Sequence, residues 1–220
     1  MSLAARALPA ALLAAATAFP QVAADANKGY QTPEARARVA ANLGSHDREA
    51  RQKPRELIAR LNLAPGMTVA DIGTGVGFML PYLATAVGPT GHVIAEDIFP
   101  DFLAKARATA QKNQLANVAF IHGDEKSAKL PANSVHLALI LDAYHHFDYP
   151  AEMLASIHAG LKPNGRLVIV DFYKRGFRDP AHIRLDDDAV AAEIQQHGFT
   201  LLESKPFTEN SQYMAIFRKK

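Results

Sequence analysis

The stretch Asp71-Ile72-Gly73-Thr74-Gly75-Val76-Gly77-Phe78 decides the fold of this chain. It follows the run Met67 to Ala70 and reads as a buried strand that stops at a glycine-rich turn and hands over to a helix. Glycines at every second position let the backbone approach a ligand where a Cβ would collide. Phe78 stands where a dinucleotide fingerprint wants its third glycine, which disfavours an NAD(P)-dependent oxidoreductase. Alone, such a loop is often only turn chemistry, so the rest of the chain has to decide.

Working outward, strands and helices alternate. Val69 to Ile72 is the first strand and Phe78 to Val87 a helix; His92 to Ala95 is the second strand, Pro100 to Asn113 a helix, Val118 to His122 the third strand. Val135 to Leu141 is the fourth strand, Pro150 to Leu161 a helix, Lys162-Pro163-Asn164-Gly165 a turn, and Arg166 to Val170 the fifth strand. Ala189 to His197 is a helix, and Thr200 to Lys205 and Tyr213 to Arg218 are the last two strands. Short apolar strands alternating with helices predict an α/β, doubly wound, Rossmann-like sheet that is mostly parallel and covered on both faces. The last two strands are joined by a short polar loop and should pair antiparallel, which brings the sheet to seven strands.

Upstream, Pro33 to Leu43 and Arg48 to Leu61 carry helical patterning, with Leu57, Ile58 and Leu61 on one face of the second. Residues 27–62 thus form a helical segment suited to a lid, and 63–220 the ligand-binding domain. Residues 1–26 are different material. Arg6 is the only charge before Asp25, Leu8 to Phe19 is nearly all Ala and Leu, and Val22-Ala23-Ala24 and Ala24-Asp25-Ala26 offer cleavage sites. That is the layout of a secretory signal peptide, with an apolar run too short to span a bilayer. The expected location is therefore exported, periplasmic or secreted, with no stable membrane insertion after cleavage; Asp25 to Thr32 would be a flexible joint. A cytoplasmic location with an uncleaved leader is the alternative. The chain has no cysteine, which excludes a lipoprotein anchor and disulfides. A formal charge of +2, with Lys and Arg dispersed, lacks the basic stripe of a nucleic-acid partner.

Ligands in such sheets lie beyond the carboxyl ends of the strands, and polar groups gather at each of these ends. Glu96 and Asp97 follow the second strand, suited to accept from adjacent ribose hydroxyls. Gly123-Asp124 follows the third, Asp142-Ala143-Tyr144-His145-His146-Phe147 the fourth, and Asp171-Phe172-Tyr173 the fifth.

This series, over roughly residues 46 to 218, resembles the motifs of the class I S-adenosylmethionine (SAM) methyltransferases, with an echo of the quinone-biosynthesis C-methyltransferases. The resemblance implies SAM as cofactor and a last strand inserted antiparallel to the rest. It implies that Gly73, Gly75 and Gly77 hug the methionine moiety, Asp71 its amino group, Asp97 the ribose, Asp124 the adenine, and that Asp142 lies near the methyl. Two positions depart from it. His136 stands where relatives have Asp, and Arg51 where Trp is expected.

Methyl transfer is an in-line displacement from a sulfonium, so a protein chiefly supplies proximity and orientation. A base is needed only for a protonated acceptor. His145 and His146 are the candidates, with Tyr173 and His182 behind them; adjacent residues do not face the same way, so one of the pair should point inward, His145 being favoured. Asp142, His145, His146 and His182 include metal-ligand types, but without H-x-x-H or H-x-x-x-H spacing no metal is expected. Lack of cysteine excludes thiolate chemistry of the arsenite-methylating type. The leading expectation is a SAM-dependent methyltransferase acting on a small-molecule acceptor. The alternative is an exported, non-catalytic SAM-binding module. The acceptor itself, to be covered by Tyr30 to Lys53 and Lys174 to Asp188, is not legible.

Overall fold

The computed structural model describes residues 21–209 and 211–220; Met1 to Pro20, the bulk of the expected leader, lies outside the described residues. Seven strands form one sheet: β1 Thr68–Ile72, β2 His92–Asp97, β3 Val118–His122, β4 Val135–Leu141, β5 Leu161–Phe172, β6 Phe199–Thr208 and β7 Gln212–Lys219. Their order is β3-β2-β1-β4-β5-β7-β6. β1 pairs parallel with both β2 and β4, and the chain order reverses there, which opens a crevice at the carboxyl end of β1. β7 runs antiparallel to both β5 and β6, as the resemblance implies.

Both sheet faces are buried, and the strand period assigns residues to them. Ala70, Ile72, Ala138, Ile140, Leu167 and Ile169 pack into one core layer; Val69, Leu137, Leu139, Val168 and Val170 pack into the other. A strand apolar at every position is what burial on two faces demands. The helices covering these layers are α4 Leu80–Val87, α5 Pro100–Lys112, α6 Pro150–Gly160 and α7 Asp187–Gln196, and α1 Pro33–Leu43, α2 Arg48–Gln52 and α3 Pro54–Leu61 precede the sheet. Among the described residues, no helix is long and apolar enough to cross a membrane.

Four features depart from expectation. The helix read over Arg48 to Leu61 is two, broken at Lys53 (φ 43°) because Pro54 bars its predecessor from helical backbone and brings no N–H. β2 runs on through Glu96 and Asp97, so these carboxylates belong to the strand rather than to the loop after it. β5 begins at Leu161 and absorbs the expected turn as an irregularity in its pairing with β4. Most consequentially, the segment expected to be a flexible joint is an ordered strap. Ala26–Tyr30 forms a 3-10 turn, Ala23 and Ala26 are buried, and the Val22 N–H donates to the Asp148 carbonyl at 3.2 Å.

Candidate active site

The crevice at the end of β1 is a cavity of ≈ 360 Å³, in the range of small-ligand sites. The glycine turn forms one wall. Gly73 adopts φ +70°, and a Cβ there would stand 2.8 Å from Ala143 Cβ; the tight approach of β1 to the β4 loop therefore requires glycine. Gly73, Thr74 and Gly75 line the cavity. Gly77 does not: a Cβ there would press on Leu80 and on the Ala106 backbone, so its role is the packing of the turn against α4 and α5. Asp71 is also turned from the cavity. Its carboxylate accepts from the Thr74 hydroxyl at 2.7 Å and ties the turn together, while burial pushes its pKa up to about 6.

The floor is acidic. Asp97 accepts the Gly75 N–H at 2.8 Å and the Phe99 N–H at 2.9 Å, and burial raises its pKa to about 6. Glu96, given only second place by the sequence, accepts the Gly73 N–H at 3.3 Å through Oε2, whereas its buried Oε1 has no partner. Burial, followed by the charge of Asp97, raises Glu96 well above the usual carboxylate range. Gly123 exists for this residue, since a Cβ there would fall 1.9 Å from Glu96 Oε1. Asp142, in left-handed backbone at φ 55°, also lines the cavity and accepts from the Gln52 and Gln212 side-chain amides. Burial first, then the Asp171 charge, brings Asp142 to about 7.

The opposite wall comes from the chain before the sheet, within the segment expected to act as a lid, though the sequence did not single out its residues. Arg48 of α2 is buried, donates to the Leu43 carbonyl at 2.9 Å, and lies 4.4 Å from the Phe78 ring centre; burial lowers its pKa against the opposing charges of Asp142 and Asp71. It is the cation on the cavity wall that faces these carboxylates. Arg36 of α1 pairs with Asp101 at 2.7 Å and donates to the Tyr30 carbonyl, pinning the strap to α5. Tyr30 stacks on Phe99 at 5.8 Å, and Asn27 bonds to Asp148 and to the His146 carbonyl, both at 3.0 Å. Only the amphipathic pattern of these helices was visible in the sequence; a buried Arg inside one looks like any surface Arg until the tertiary contacts are known.

Besides Gly77 and Asp71, three expected site residues lie off the cavity lining. Asp124 is exposed, where its carboxylate accepts the Lys126 N–H at 3.0 Å and pairs with Lys129 at 3.2 Å, and it does not line the cavity. A turn bridged between Asp124 and Ser127 directs it outward. Tyr173 is buried beside Tyr213 at 5.4 Å, with the Arg175 guanidinium 3.8 Å over its ring, so its phenol is part of the packing and not of the cavity. The two histidines are inverted relative to expectation. His145 is buried against Asp171, Nδ1 to Oδ1 2.7 Å, and it is His146 that lines the cavity. Burial pulls His145 down, but the charge and hydrogen bond of Asp171 hold its pKa above the ordinary value. Burial, then the neighbouring imidazoles, puts His146 well below it, which keeps this ring neutral and makes it a weak base.

A cavity with backbone N–H groups held by carboxylates on one side and a buried guanidinium on the other suits a zwitterionic nucleoside. Glu96 has an unpartnered oxygen there, and Asp97, with one bond accepted at each oxygen, has acceptor capacity left. Comparison with known proteins agrees. The family described as "Methyltransferase domain" matches residues 63–220. The chain is 28% identical over 166 residues to an arsenite methyltransferase of Halobacterium salinarum, covering 70% of this chain and 42% of that protein. It is 33% identical over 113 residues to a ubiquinone/menaquinone biosynthesis C-methyltransferase of Ectopseudomonas mendocina, covering 51% and 44%. The chain thus spans less than half the length of these curated relatives. The crystal structure of a SAM-dependent methyltransferase from Aquifex aeolicus superposes with a TM-score of 0.78 at 25% identity, over 82% of this chain and 97% of that one.

Proposed function

The chain belongs to the methyltransferase-domain family of class I SAM-dependent methyltransferases, whose cofactor is SAM, and from that premise we propose that it transfers the SAM methyl group to a small-molecule acceptor by in-line displacement. The observation that carries the reading is the orphaned oxygen of Glu96, which with Asp97 and the glycine turn bonded to them lines the ≈ 360 Å³ cavity. A buried acceptor without a donor costs stability that a ribose hydroxyl would restore. In this reading Glu96 and Asp97 hold the ribose, the Gly73 to Gly75 backbone flanks the methionine moiety, and Arg48 faces its carboxylate. Asp142, ionised above about pH 7, favours the positive sulfonium.

The residues' main contribution is then proximity and exclusion of water. Tyr30 of the strap, with Phe99 and Phe102 at the start of α5, gives the cavity an aromatic lining, which favours a small, partly apolar acceptor. When the acceptor carries a proton, His146 Nε2 is the group on the cavity wall able to remove it. Arsenite is not proposed as acceptor, because the chain has no thiol to hold it. Titration of the purified protein with SAM and then S-adenosylhomocysteine by calorimetry tests the assignment: micromolar binding of both is expected, and none by folded protein would overturn it.

We further propose that the leader directs export, which would place a SAM-dependent protein outside the compartment where SAM is made. The charge-poor, Ala- and Leu-rich residues before Asp25 support this reading. Fusion of residues 1–26 to a reporter active only after export should give signal; a silent fusion that is expressed would refute it.

A further inference from the structure

His145, His146 and His182 come from two separate loops and meet beside the cavity. Their ring centres lie 4.1, 5.2 and 5.3 Å apart, and one ligand-type nitrogen from each falls within 4.8 Å of the others. Among the described residues, no hydrogen bond joins any two of these rings, so mutual bonding does not explain the cluster. Each ring is instead held from behind. His145 Nδ1 meets Asp171 at 2.7 Å, His146 Nδ1 meets the Asn27 side-chain oxygen at 2.9 Å, and His182 lies flat on Phe177 at 4.8 Å with 6° between the planes. An imidazole whose Nδ1–H is donated to a carboxylate or amide oxygen presents Nε2 as a lone pair, and this is the backing that metal-ligating histidines have.

We propose that His145, His146 and His182 bind a divalent ion of the zinc class through their ring nitrogens, with a fourth position open toward the cavity. Three imidazole donors and no thiolate suit Zn²⁺, whose Zn–N bonds of about 2.0–2.1 Å place tetrahedral donors about 3.3 Å apart. From a separation of up to 4.8 Å, closure takes a shift of about 1.5 Å. His182 can supply it, because it lies in the short 3-10 turn Pro180–His182 within the connection between β5 and α7. Tyr30, whose hydroxyl faces His146 Nε2 at 3.3 Å, releases that nitrogen as the ion enters. The role of the ion rests on the methyl-transfer reading. With the ion bound, His146 is a ligand and no longer a base, and an acceptor hydroxyl bound at the open position loses its proton to solvent. Its oxygen lone pair then forms the new C–O bond while the C–S bond of SAM breaks, leaving S-adenosylhomocysteine.

The test is binding of Zn²⁺ to chelator-stripped protein by calorimetry, with Co²⁺ as a visible-absorption probe. One equivalent should bind, with four-coordinate Co²⁺ bands. His182→Ala should lower the affinity at least about a hundredfold and abolish the bands, His146→Ala should do the same, and the exposed His92→Ala should change neither. SAM is titrated into the same stripped samples. SAM binding with no Zn²⁺ site, or Zn²⁺ binding indifferent to both His182→Ala and His146→Ala, overturns the metal site and leaves the methyltransferase reading standing. Zn²⁺ binding lost in both variants, with no SAM binding, supports the metal site and overturns its link to methyl transfer.

Discussion

The two walls of the cavity are built by different means. On the sheet side, the carboxyl ends of β1 and β2 supply Gly73, Gly75, Glu96 and Asp97, and the contacts are backbone N–H groups held by carboxylates a strand away. On the other side, the strap, α1 and α2 supply Asn27, Tyr30, Arg36 and Arg48. There the contacts are side-chain bonds to residues far along the chain, such as Asn27 to Asp148 and Arg36 to Asp101. The first wall is part of the sheet and cannot open without disrupting parallel pairing. The second rests on a handful of polar contacts and can separate locally at little cost. On the proposed reading, the rigid wall would hold the cofactor and the detachable one would admit the acceptor.

The contrast can be broken at either wall. The largest effect is expected at Gly73: Gly73→Val forces a branched side chain into left-handed backbone and against Ala143, and should weaken SAM binding at least about a hundredfold, or about 2.7 kcal/mol. Calorimetry with circular dichroism as a folding control checks it, and near-normal affinity would show the turn to be elastic. Asp97→Ala removes charge-assisted contacts and should weaken SAM binding by about 1.5–3 kcal/mol. Asp124→Ala, at the exposed turn, should leave it unchanged. The reverse result would restore Asp124 to the site.

Smaller effects separate the walls by pH and by local opening. Burial holds Asp71 and Asp97 near 6 and Asp142 near 7, all above the usual carboxylate value of 3.8. A raised carboxyl pKa makes the folded state bind more protons than the unfolded chain, so this stabilisation is complete below about pH 4 and is lost as pH rises through 6 to 7. The melting temperature should therefore fall from about pH 4 to about pH 7 and level off above, and Asp142→Asn should flatten the upper part of that decline. A flat profile in the unmodified protein would mean that these carboxylates are solvated. The smallest change is expected from Asn27→Ala, which frees the strap from His146 and Asp148. At about 1 kcal/mol net for the lost bonds, amide exchange over Ala23 to Gln31 should speed about fivefold while SAM affinity holds. A drop in SAM affinity would join the two walls into one unit.

The alternation of apolar strands and helices, the glycine turn and the closing antiparallel pair were readable because each depends on local spacing: period two in strands, backbone freedom at glycine, a short loop between the last strands. The acidic floor was readable for the same reason, with Glu96 underweighted because its contribution depends on the space left by Gly123. What resisted reading was every choice of direction. Whether His145 or His146 faces the cavity, whether Asp124 points in or out, and whether Tyr173 is packed or presented depend on a turn or a neighbour such as Asp171, Ser127 or Tyr213.

By itself, then, the sequence determined the α/β sheet and the position of the crevice at the glycine turn, because these follow from patterns within a few residues of one another. Only the tertiary structure decided the acceptor wall and the histidine cluster. Arg48, Asn27 and His182 come from distant parts of the chain, and side chains brought together over such separations leave no spacing in the sequence to be read.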